Sequence, residues 1–581
     1  MNDHFDVVVL GAGLAGLSLV RQLTLLSEKR ILLLEKRAQI PPVKQKVGEA
    51  TVQLSGYYFA KVLDLEDHLL QEHLMKYNLR FYWKSENGGD AYENYSQSYI
   101  RSLSNIASYQ LDRNKVEAEL VRRNGQYPNV SFLTGISELE LDLKESGDHS
   151  VKFKKDGESR EVHATWVVDA TGRSRVAARN LKLAKESPIR HGASFFWVDG
   201  ILNIEKLTGL SPRASRVSAD RKMTGHLPVW LATNHFVGEG YWLWVIPLHG
   251  KTSLGLVYDR EKIPAEQVST TAKTIDWICR EFPLFARDLK FRKVVDQGMF
   301  RDFSYDCRQT ISDARWAITG EAGRFTDPLY SPAGDLIALH NTLIADCILT
   351  GESRLLSTKA RVYEVLMRAL YQAYVPSYAV SYEALGDQEC FVMKYAWELA
   401  VYFTFFVFPF INDLFTDLRF CTSYLRDFAQ LGELNRNLQK LITDYYQWKK
   451  PRYSCSAEPQ FIDFMELGPL QAAEKLFYEV GLSAEEAARV LSRETEKLRM
   501  FARYLVAHIR ATVSGNANLL TDRDYVQSID LNQIAFDPDS ICDEADGVKE
   551  GGPVYAWGFD SKCLLRVQGR LREQVSVCAA D

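Results

Sequence analysis

The chain has 581 residues, 46% hydrophobic and 12% aromatic, which is enough for about three or four domain-sized units with apolar cores. Its formal net charge is −5 and its pI is near 6.2. It therefore presents no basic field, which argues against a nucleic-acid partner and against a polybasic membrane-binding surface.

Cysteine usage and apolar segments bear on location. Nine cysteines are scattered without CxxC spacing, which predicts reduced thiols in a cytoplasmic protein, with no disulfide framework and no metal site. Residues 7–20 are apolar but follow Asp3 and Asp6 rather than lysines, so no targeting segment is expected. The run at residues 396–410 is shorter than a membrane span and contains Glu398 and Pro409. It predicts a buried helix rather than a membrane span, with the lining of a lipophilic substrate channel as the alternative.

Residues 5–35 read as strand, glycine turn, helix and strand. In this pattern Gly11 permits the tight turn, Gly13 lets the backbone approach a pyrophosphate, and Gly16 lets the helix pack closely on the sheet. Glu35 ends the second strand, where a carboxylate can accept hydrogen bonds from ribose hydroxyls. The stretch predicts a binding site for an adenine dinucleotide.

The rest of the chain alternates between helical patterns and strand patterns. The next predicted elements are helices over residues 53–63 and onward to about Lys76, strands over 79–83 and 99–103, a helix N-capped by Asp112, and a β meander over 130–164. Residues 166–173 read as a strand ending in a small-residue turn, and residues 190–300 are rich in β patterns with a helix near 270–281. A final strand and loop lead into a helix from about Pro332.

The predicted fold class is α/β, or α+β overall. Its core occupies residues 1–350, with cofactor segments at about 1–55, 105–185 and 300–350 and an inserted substrate sheet at about 56–104 and 186–299. Helical periodicity predicts a C-terminal domain over residues 351–513, with a long helix over 484–509. Residues 514–581 are rich in Asp, Gly and Ser, which predicts an irregular tail.

Three turns together resemble the flavin-binding frame of the para-hydroxybenzoate hydroxylase type of flavoprotein. They are the glycine turn, the Asp-Ala-Thr-Gly turn of residues 169–172, and the segment of residues 320–328. The resemblance implies an FAD domain of the two-dinucleotide-binding type, with Glu321 standing where that frame usually carries Asp. The implied cofactor contacts are Gly11, Gly13, Gly16, Glu35, Lys36, Glu49, Ala50, Arg113, Asp169, Gly172, Glu321 and Asp327.

A second motif narrows the resemblance. Residues 240–247 (GYWLWVIP) match the WxWxIP motif of flavin-dependent halogenases at every specified position. Residues 47–51 (VGEAT), 109–113 (YQLDR) and 327–331 (DPLYS) resemble other motifs of that family. The resemblance covers residues 5–350 and implies that reduced FAD and oxygen oxidise halide to hypohalous acid, which then halogenates an aromatic ring.

Trp242 and Trp244 are two positions apart in this strand and should face the same way. The resemblance implies that they form a wall between flavin and substrate, so that only halide reaches the flavin. A merely buried aromatic strand is the alternative reading.

Lys76 resembles the lysine with which the family holds and delivers hypohalous acid, and Lys84 competes for that assignment. Burial would lower the pKa of this ammonium, so that it could act as an amine forming a chloramine or as a hydrogen-bond donor. The alternative interpretation of Lys76 is an exposed lysine at a helix end, which is the commoner environment of lysines.

The turn at residues 331–335 (SPAGD) begins a helix and offers backbone N–H groups to an anion. Ser331, Ala333 and Gly334 are the predicted halide contacts, and a plain helix cap is the alternative. Tryptophan-type halogenases carry a Glu and Ser pair in this loop where the chain has Tyr330 and Ser331, which disfavours tryptophan as substrate.

The resulting hypothesis is a two-component, FAD-dependent halogenase of the phenol or pyrrole type from a natural-product pathway. One dinucleotide fingerprint favours FADH2 supplied by a separate flavin reductase. The halide is chloride or bromide, and the small aromatic substrate is free or tethered to a carrier protein. Two alternatives stay open: an aromatic hydroxylase sharing the same frame, and a non-catalytic or reductive flavoprotein that binds a lipophilic partner.

Overall fold

The computed structural model describes residues 4–86, 88–217, 225–452, 458–548 and 552–565. In chain order, the strands in these ranges are β1 (His4–Leu10), β2 (Ile31–Glu35), β3 (Leu74–Met75), β4 (Leu79–Lys84), β5 (Tyr95–Tyr99), β6 (Tyr109–Gln110), β7 (Val130–Thr134), β8 (Ile136–Asp142), β9 (His149–Lys155), β10 (Glu158–Asp169), β11 (Ala184–Glu186), β12 (His191–Asp199), β13 (Thr233–Gly238), β14 (Tyr241–Leu248), β15 (Lys251–Asp259), β16 (Val294–Phe300), β17 (Tyr305–Cys307), β18 (Trp316–Ile318) and β19 (Phe461–Asp463).

The helices of the same ranges are α1 (Leu14–Leu26), α2 (Gln53–Tyr57), α3 (Glu66–Glu72), α4 (Arg113–Asn124), α5 (Val176–Asn180), α6 (Pro212–Val217), α7 (Thr271–Glu281), α8 (Pro332–Leu349), α9 (Ser353–Ala379), α10 (Gln388–Tyr402), α11 (Phe408–Ile411), α12 (Leu418–Lys449), α13 (Gly468–Glu474), α14 (Ala484–Ser514), α15 (Arg523–Ser528) and α16 (Pro538–Asp546). Two π-helical turns, Tyr58–Val62 and Phe403–Val407, continue α2 and α10. The α/β fold class expected from the sequence is confirmed.

A mostly parallel sheet forms the first layer, in the order β7-β2-β1-β10-β9-β8, with β18 also paired to β10. Strand β1 lies parallel between β2 and β10, and α1 connects β1 to β2 across one face. Strand β7 was expected in a β meander but pairs in parallel with β2. Helix α4 precedes it, so the chain makes a helical crossover that returns it to this edge of the sheet.

An eight-stranded sheet forms the second layer, in the order β16-β12-β15-β14-β13-β4-β5-β19. Residues 56–72 fall within the range assigned to the inserted sheet domain but are mainly helical, as their own pattern predicts. They pack on the cofactor layer, where the Tyr58 hydroxyl donates to Gln22 of α1 at 2.9 Å. The edge strand β19 comes from the C-terminal region, a long-range pairing with β5 that no local pattern predicts.

Long helices α9, α10, α12 and α14 form the third part. The helical run Gln388–Ile411 is long and apolar enough to cross a membrane, but 89% of its most apolar window is buried inside the protein. Such burial is typical of a core helix. The seven cysteines in the described ranges are unpaired, and no cluster of three or more metal-ligating side chains occurs there.

Three further local predictions were wrong. The strand predicted over residues 99–103 instead spans Tyr95–Tyr99. The second helix ends at Glu72 rather than near Lys76, because residues 74–75 pair with β6 as strand β3. The tail also contains helices α15 and α16, which pack through buried residues such as Val526 and Ile541. Asp537 and Pro538 are the N-cap and first residue of α16.

Candidate active site

Three glycines shape the turn between β1 and α1, and each is used differently. Gly11 has a left-handed φ of +101°, and a Cβ there would lie 2.5 Å from the carbonyl oxygen of Ala170. A Cβ on Gly16 would lie 2.1 Å from the carbonyl oxygen of Gly11, so both sites require glycine. No described atom lies within 4 Å of a Cβ on Gly13. This open space at the N-terminus of α1 fits the pyrophosphate of a dinucleotide.

Glu35 ends β2 with its carboxylate turned towards the glycine turn. Its Oε2 accepts the N–H of Ala12 at 2.9 Å, and its Oε1 accepts the N–H of Arg37 at 2.9 Å. Each carboxylate oxygen has a second lone pair, so ribose hydroxyls can still be bound there. Lys36, beside it, is exposed and donates to Ser174 Oγ at 3.2 Å.

Asp169 shapes the turn after β10. Its Oδ1 accepts the backbone N–H of Thr171 at 2.8 Å, and its Oδ2 accepts the N–H of Ala177 at 2.6 Å. Burial raises the pKa of this carboxyl group, and the hydrogen bonds oppose that rise. Gly172 follows with a φ of +57°. The carboxylate thus serves the turn that lies against Gly11, and its direct contact with a cofactor stays a prediction.

Charged groups gather where the loop after β18 meets α1. A Cβ on Gly320 would lie 2.9 Å from Ala15 Cβ, which places the neighbouring Glu321 beside the glycine turn. Burial raises the pKa of Glu321, while the positive charges of Arg113 and Arg173 oppose the rise. This arrangement suits the phosphates and hydroxyls of a dinucleotide.

The segment before α2 supports the large sheet. The indole Nε1 of Trp197 donates to Glu49 Oε1 at 2.6 Å, and burial raises the pKa of Glu49 to about 7. Ala50 bridges to β6, and Arg113 Nη1 donates to the carbonyl oxygen of Val47 at 2.7 Å. Glu49 therefore links the predicted cofactor motif to the sheet that carries the tryptophans.

Both carboxylate oxygens of Asp327 have hydrogen-bond partners within the protein. Its Oδ2 lies 2.6 Å from His191 Nδ1, and its Oδ1 accepts the N–H of Leu329 at 2.9 Å. The ring of Tyr382 stacks on His191 with 3.9 Å between centroids. Asp327 thus fixes the loop before α8, and a cofactor contact by its side chain stays a prediction. Sequence reasoning missed His191 and Tyr382, which carry no local motif.

The predicted halide turn has an unusual backbone. Tyr330 and Ser331 both have left-handed φ values, +68° and +62°. Such strain in consecutive non-glycine residues is typical of functional sites. Pro332 begins α8 as expected, but the Ser331 side chain makes no cap hydrogen bond. Gly334 lies against Ser55 of α2, where a Cβ would come within 2.8 Å of the Ser55 Cβ.

Ala333 is half-buried between Pro332 and Gly334 and packs against the main core. Together with Ser331 and Gly334 it keeps the first turn of α8 compact. The first N–H groups of this helix have no intrahelical acceptor and remain suited to an anion. Halide binding here stays a prediction.

Trp242 and Trp244 face the same side of β14, as the period of a strand predicts. Their ring centroids are 5.7 Å apart, and both belong to the core shared with the cofactor layer. Trp244 Nε1 donates to Ser253 Oγ at 3.1 Å. Trp242 lies against His235, with 5.5 Å between ring centroids. The two indoles form one continuous aromatic surface.

Lys76 is only 7% exposed, and no described residue accepts a hydrogen bond from its Nζ. Its backbone N–H donates to the carbonyl oxygen of Ser108 at 2.9 Å. Burial lowers the pKa of Lys76 to about 7, and the carboxylate of Asp335 opposes that fall. Lys84 is exposed and donates to the Glu281 carbonyl oxygen at 3.2 Å. Of the two candidate lysines, Lys76 is the enclosed one.

Lys76 lines a cavity of about 670 Å³. The wall comes from the start of α8, from α9, α10 and α12, and from the loop of residues 100–108. The apolar run of residues 396–410 is buried and helical, as predicted, and Leu399, Val401 and Phe406 also belong to the cavity wall, while its role as a substrate channel stays a prediction. The cavity is therefore large enough and apolar enough for a substituted aromatic ring.

Sequence reasoning missed the carboxylates of this cavity. Asp335 Oδ1 accepts the backbone N–H of Ser55 at 2.9 Å, and burial raises the pKa of Asp335 to about 6. Glu398 lies in the wall formed by α10. Each left a signal: an acid in the first turn after the predicted halide residues, and an acid inside an apolar run.

Known proteins that are similar in sequence to this chain include halogenases. No protein-family model matches the chain. It is 28% identical over 364 residues to flavin-dependent halogenase chlA of Dictyostelium discoideum, a match covering 58% of each chain. It is 26% identical over 352 residues to tetracycline 7-halogenase of Kitasatospora aureofaciens, covering 56% of this chain and 60% of the relative. The chain thus matches 58% and 60% of the length of these curated relatives.

The fold gives a wider match. The crystal structure of halogenase PltM aligns with a TM-score of 0.60 and 17% sequence identity, covering 86% of this chain and 98% of that one. The chain is thus similar in sequence, over more than half of its length, to flavin-dependent halogenases, and similar in fold, over most of its length, to halogenase PltM.

Proposed function

We propose that the protein is an FAD-dependent halogenase that acts on a small electron-rich aromatic substrate. The observation that carries this proposal is the placement of Lys76. Its Nζ lies buried without a hydrogen-bond partner in the described chain, in the wall of a largely apolar cavity. Burying a lysine without a hydrogen-bond partner destabilises the folded protein. A lysine in such a position is therefore a candidate for a chemical role.

The glycine turn, Glu35 and the group around Glu321 fit FAD. Open space at Gly13 leaves room for the pyrophosphate, and the carboxylate of Glu35 suits the ribose. A separate flavin reductase would reduce FAD to FADH2, which then binds here. The bound cofactor would supply the electrons with which oxygen, halide and a proton give hypohalous acid and water. We propose a cytoplasmic location, in keeping with nine cysteines scattered along the sequence without CxxC spacing.

Lys76 then holds the oxidant. A pKa of about 7 leaves a large share of the side chain protonated at neutral pH. The ammonium donates a hydrogen bond to the oxygen of hypohalous acid, which makes the halogen atom more electrophilic. The ring attacks the halogen, the oxygen leaves with its electron pair, and the displaced ring proton completes a water molecule. Asp335 supports the ammonium by its nearby negative charge.

The two tryptophans keep the organic substrate away from the flavin. Trp242 and Trp244 are 2% and 6% exposed, and their joint surface belongs to the core next to the cofactor layer. Bulky rings at this position let a halide ion pass in preference to an aromatic molecule. This role separates the halogenase proposal from a hydroxylase, which needs direct approach of the substrate.

The test supplies purified protein with FAD, a flavin reductase, NADH, oxygen and either chloride or bromide. A panel of phenols, pyrroles and indoles is then analysed by mass spectrometry. The proposal predicts halogen incorporation that depends on added halide and on the reductase. Hydroxyl incorporation across the panel would instead identify a hydroxylase, and no oxygen-dependent product would identify a binding or reductive flavoprotein.

A further inference from the structure

The cavity wall carries two buried polar atoms that face each other and have no other hydrogen-bond partner in the described chain. They are Oε2 of Glu398, on α10, and the hydroxyl of Tyr330, in the strained turn before α8. Both residues line the cavity that contains Lys76. Buried polar groups are normally paired, so each of these atoms requires an explanation.

The carboxylate of Glu398 is held firmly from its other side. Its Oε1 accepts from Lys394 Nζ and from Gln439 Nε2, the latter at 2.8 Å. Lys394 Nζ also donates to Ser377 Oγ at 2.6 Å and is fully buried. These contacts orient the Glu398 carboxylate and leave Oε2 as a fixed acceptor.

Tyr330 supplies the matching donor. Burial raises the pKa of Tyr330 well above its usual value and the negative charge of Glu398 adds to the rise, so its O–H stays protonated. Its ring is packed against Tyr395, with 4.8 Å between centroids, and against Phe81 at 6.2 Å. A proton donor and a proton acceptor thus lie near each other in one cavity.

Building on the halogenase function proposed above, we propose that Glu398 and Tyr330 form a hydroxyl-recognition site and that the substrate is a phenol. The phenolic O–H donates to Glu398 Oε2, while the phenolic oxygen accepts from the Tyr330 O–H. A pyrrole N–H can donate to Glu398, but its nitrogen lone pair belongs to the ring and accepts nothing from Tyr330. Pyrrole would therefore leave one buried group unpaired, which is unfavourable.

The pair also assists the substitution. As Glu398 draws the phenolic proton towards itself, electron density rises at the ring carbons ortho and para to the oxygen. One of these carbons forms the bond to halogen, and the phenolic proton returns when the ring proton leaves. Apolar wall residues such as Leu399, Phe406 and Phe428 accommodate an alkyl or acyl substituent on the ring.

The test measures binding, which does not require halogenation. 4-Butylphenol and its methyl ether, 4-butylanisole, are titrated by calorimetry into the protein loaded with oxidised FAD. The ether carries a methyl group in place of the hydroxyl hydrogen of the phenol, so it cannot donate a hydrogen bond. Wild-type protein should bind the phenol at least about tenfold more tightly than the ether, as expected for a hydrogen bond to a charged acceptor.

Glu398→Gln and Tyr330→Phe should each reduce this preference to about threefold or less. Tyr330→Phe leaves the Lys394 pair intact, so it serves if Glu398→Gln fails to fold. Glu474→Gln, which changes another carboxylate of the same wall, is the matched control and should retain the full preference. Equal binding of the two probes, binding of neither, or a preference retained in both variants would overturn the site.

The outcomes separate this site from the proposed function. A phenol preference without any halogenated product would leave the site standing and remove the halogenase proposal. Halogenation of phenol, ether and pyrrole probes at similar rates would leave the halogenase standing and remove the hydroxyl site.

Discussion

Lys76 and Asp335 line the same buried cavity, and the charge of each shifts the pKa of the other towards its ionised form. Burial acts in the opposite direction on both. As a result the pKa of Lys76 is about 7 and that of Asp335 about 6. Protonation of this pair can therefore change within the physiological pH range.

Halogenation should depend on the protonation of Lys76. Because the ammonium is the proposed donor to hypohalous acid, the rate of halogenated product should fall as pH rises through about 7. Oxidation of reduced flavin by oxygen, measured as oxygen uptake, serves as the control and should not show the same loss. A rate that rises through this pH range would support the amine form, and a flat profile would remove Lys76 titration from the mechanism.

Asp335→Asn should shift that profile. Without the carboxylate, burial alone acts on Lys76 and its pKa falls further, so the loss of halogenation should begin at lower pH. Asn can still accept the N–H of Ser55, which keeps the start of α2 in place. The measurement is the pH midpoint of product formation, and an unchanged midpoint would show that the two charges are independent.

Lys76→Met should stabilise the folded protein. The folded state binds the lysine proton less well than the unfolded state, whose pKa is near 10.5. From pH 7 to 10.5 the unfolded state holds more protons, so wild-type stability rises with pH through that window. The burial penalty is largest at or below pH 7, and Met removes it while filling the space. Thermal unfolding at pH 7 should show a higher midpoint temperature, which corresponds to a gain of at least about 1 kcal/mol in the free energy of unfolding. A lower midpoint temperature would contradict the burial of an unpaired lysine.

Gly13→Ala and Gly16→Ala form a matched pair at the cofactor turn. A Cβ on Gly13 meets open space, so this variant should fold with unchanged stability yet lose at least about tenfold in FAD affinity by blocking the pyrophosphate. A Cβ on Gly16 would clash with the Gly11 carbonyl oxygen, so Gly16→Ala should lose several kcal/mol of stability, on the order of the largest single-site effects. Fluorescence titration with FAD and thermal unfolding check both. Normal FAD binding by Gly13→Ala would place the pyrophosphate elsewhere.

Replacing the indole surface should change the product. Trp242→Leu with Trp244→Leu opens space beside the cofactor layer, so the ratio of hydroxylated to halogenated product should rise at least about tenfold. Trp277→Leu is the control, since Trp277 is also buried but packs in the separate core on the other face of the sheet. An unchanged ratio in the double variant would make Trp242 and Trp244 packing residues.

Local sequence patterns predicted what local geometry determines. The glycine turn required Gly11 and Gly16 for backbone reasons, and the two-residue period of β14 placed Trp242 and Trp244 on one face. The N-cap at Asp112 and the first helical position at Pro332 were predictable for the same reason.

Long-range contacts could not be predicted in this way. The burial of Lys76 arises from helices hundreds of residues away, and the strand that ends the preceding helix forms by pairing with β6. Asp327 contacts His191 across 136 residues, and Glu398 reaches the cavity through the packing of α9, α10 and α12. A single sequence shows an acid in an apolar run but not the group that the acid faces.

The most direct test of the central claim compares Lys76→Ala with Lys84→Ala under full turnover, measuring flavin oxidation and halogenated product in the same reaction. Lys76→Ala should oxidise reduced flavin at a rate within about twofold of wild type while its halogenated product falls at least about a hundredfold. Lys84→Ala, altered at a surface lysine that contacts Glu281, should match wild type in both. Halogenation retained by Lys76→Ala would contradict the account.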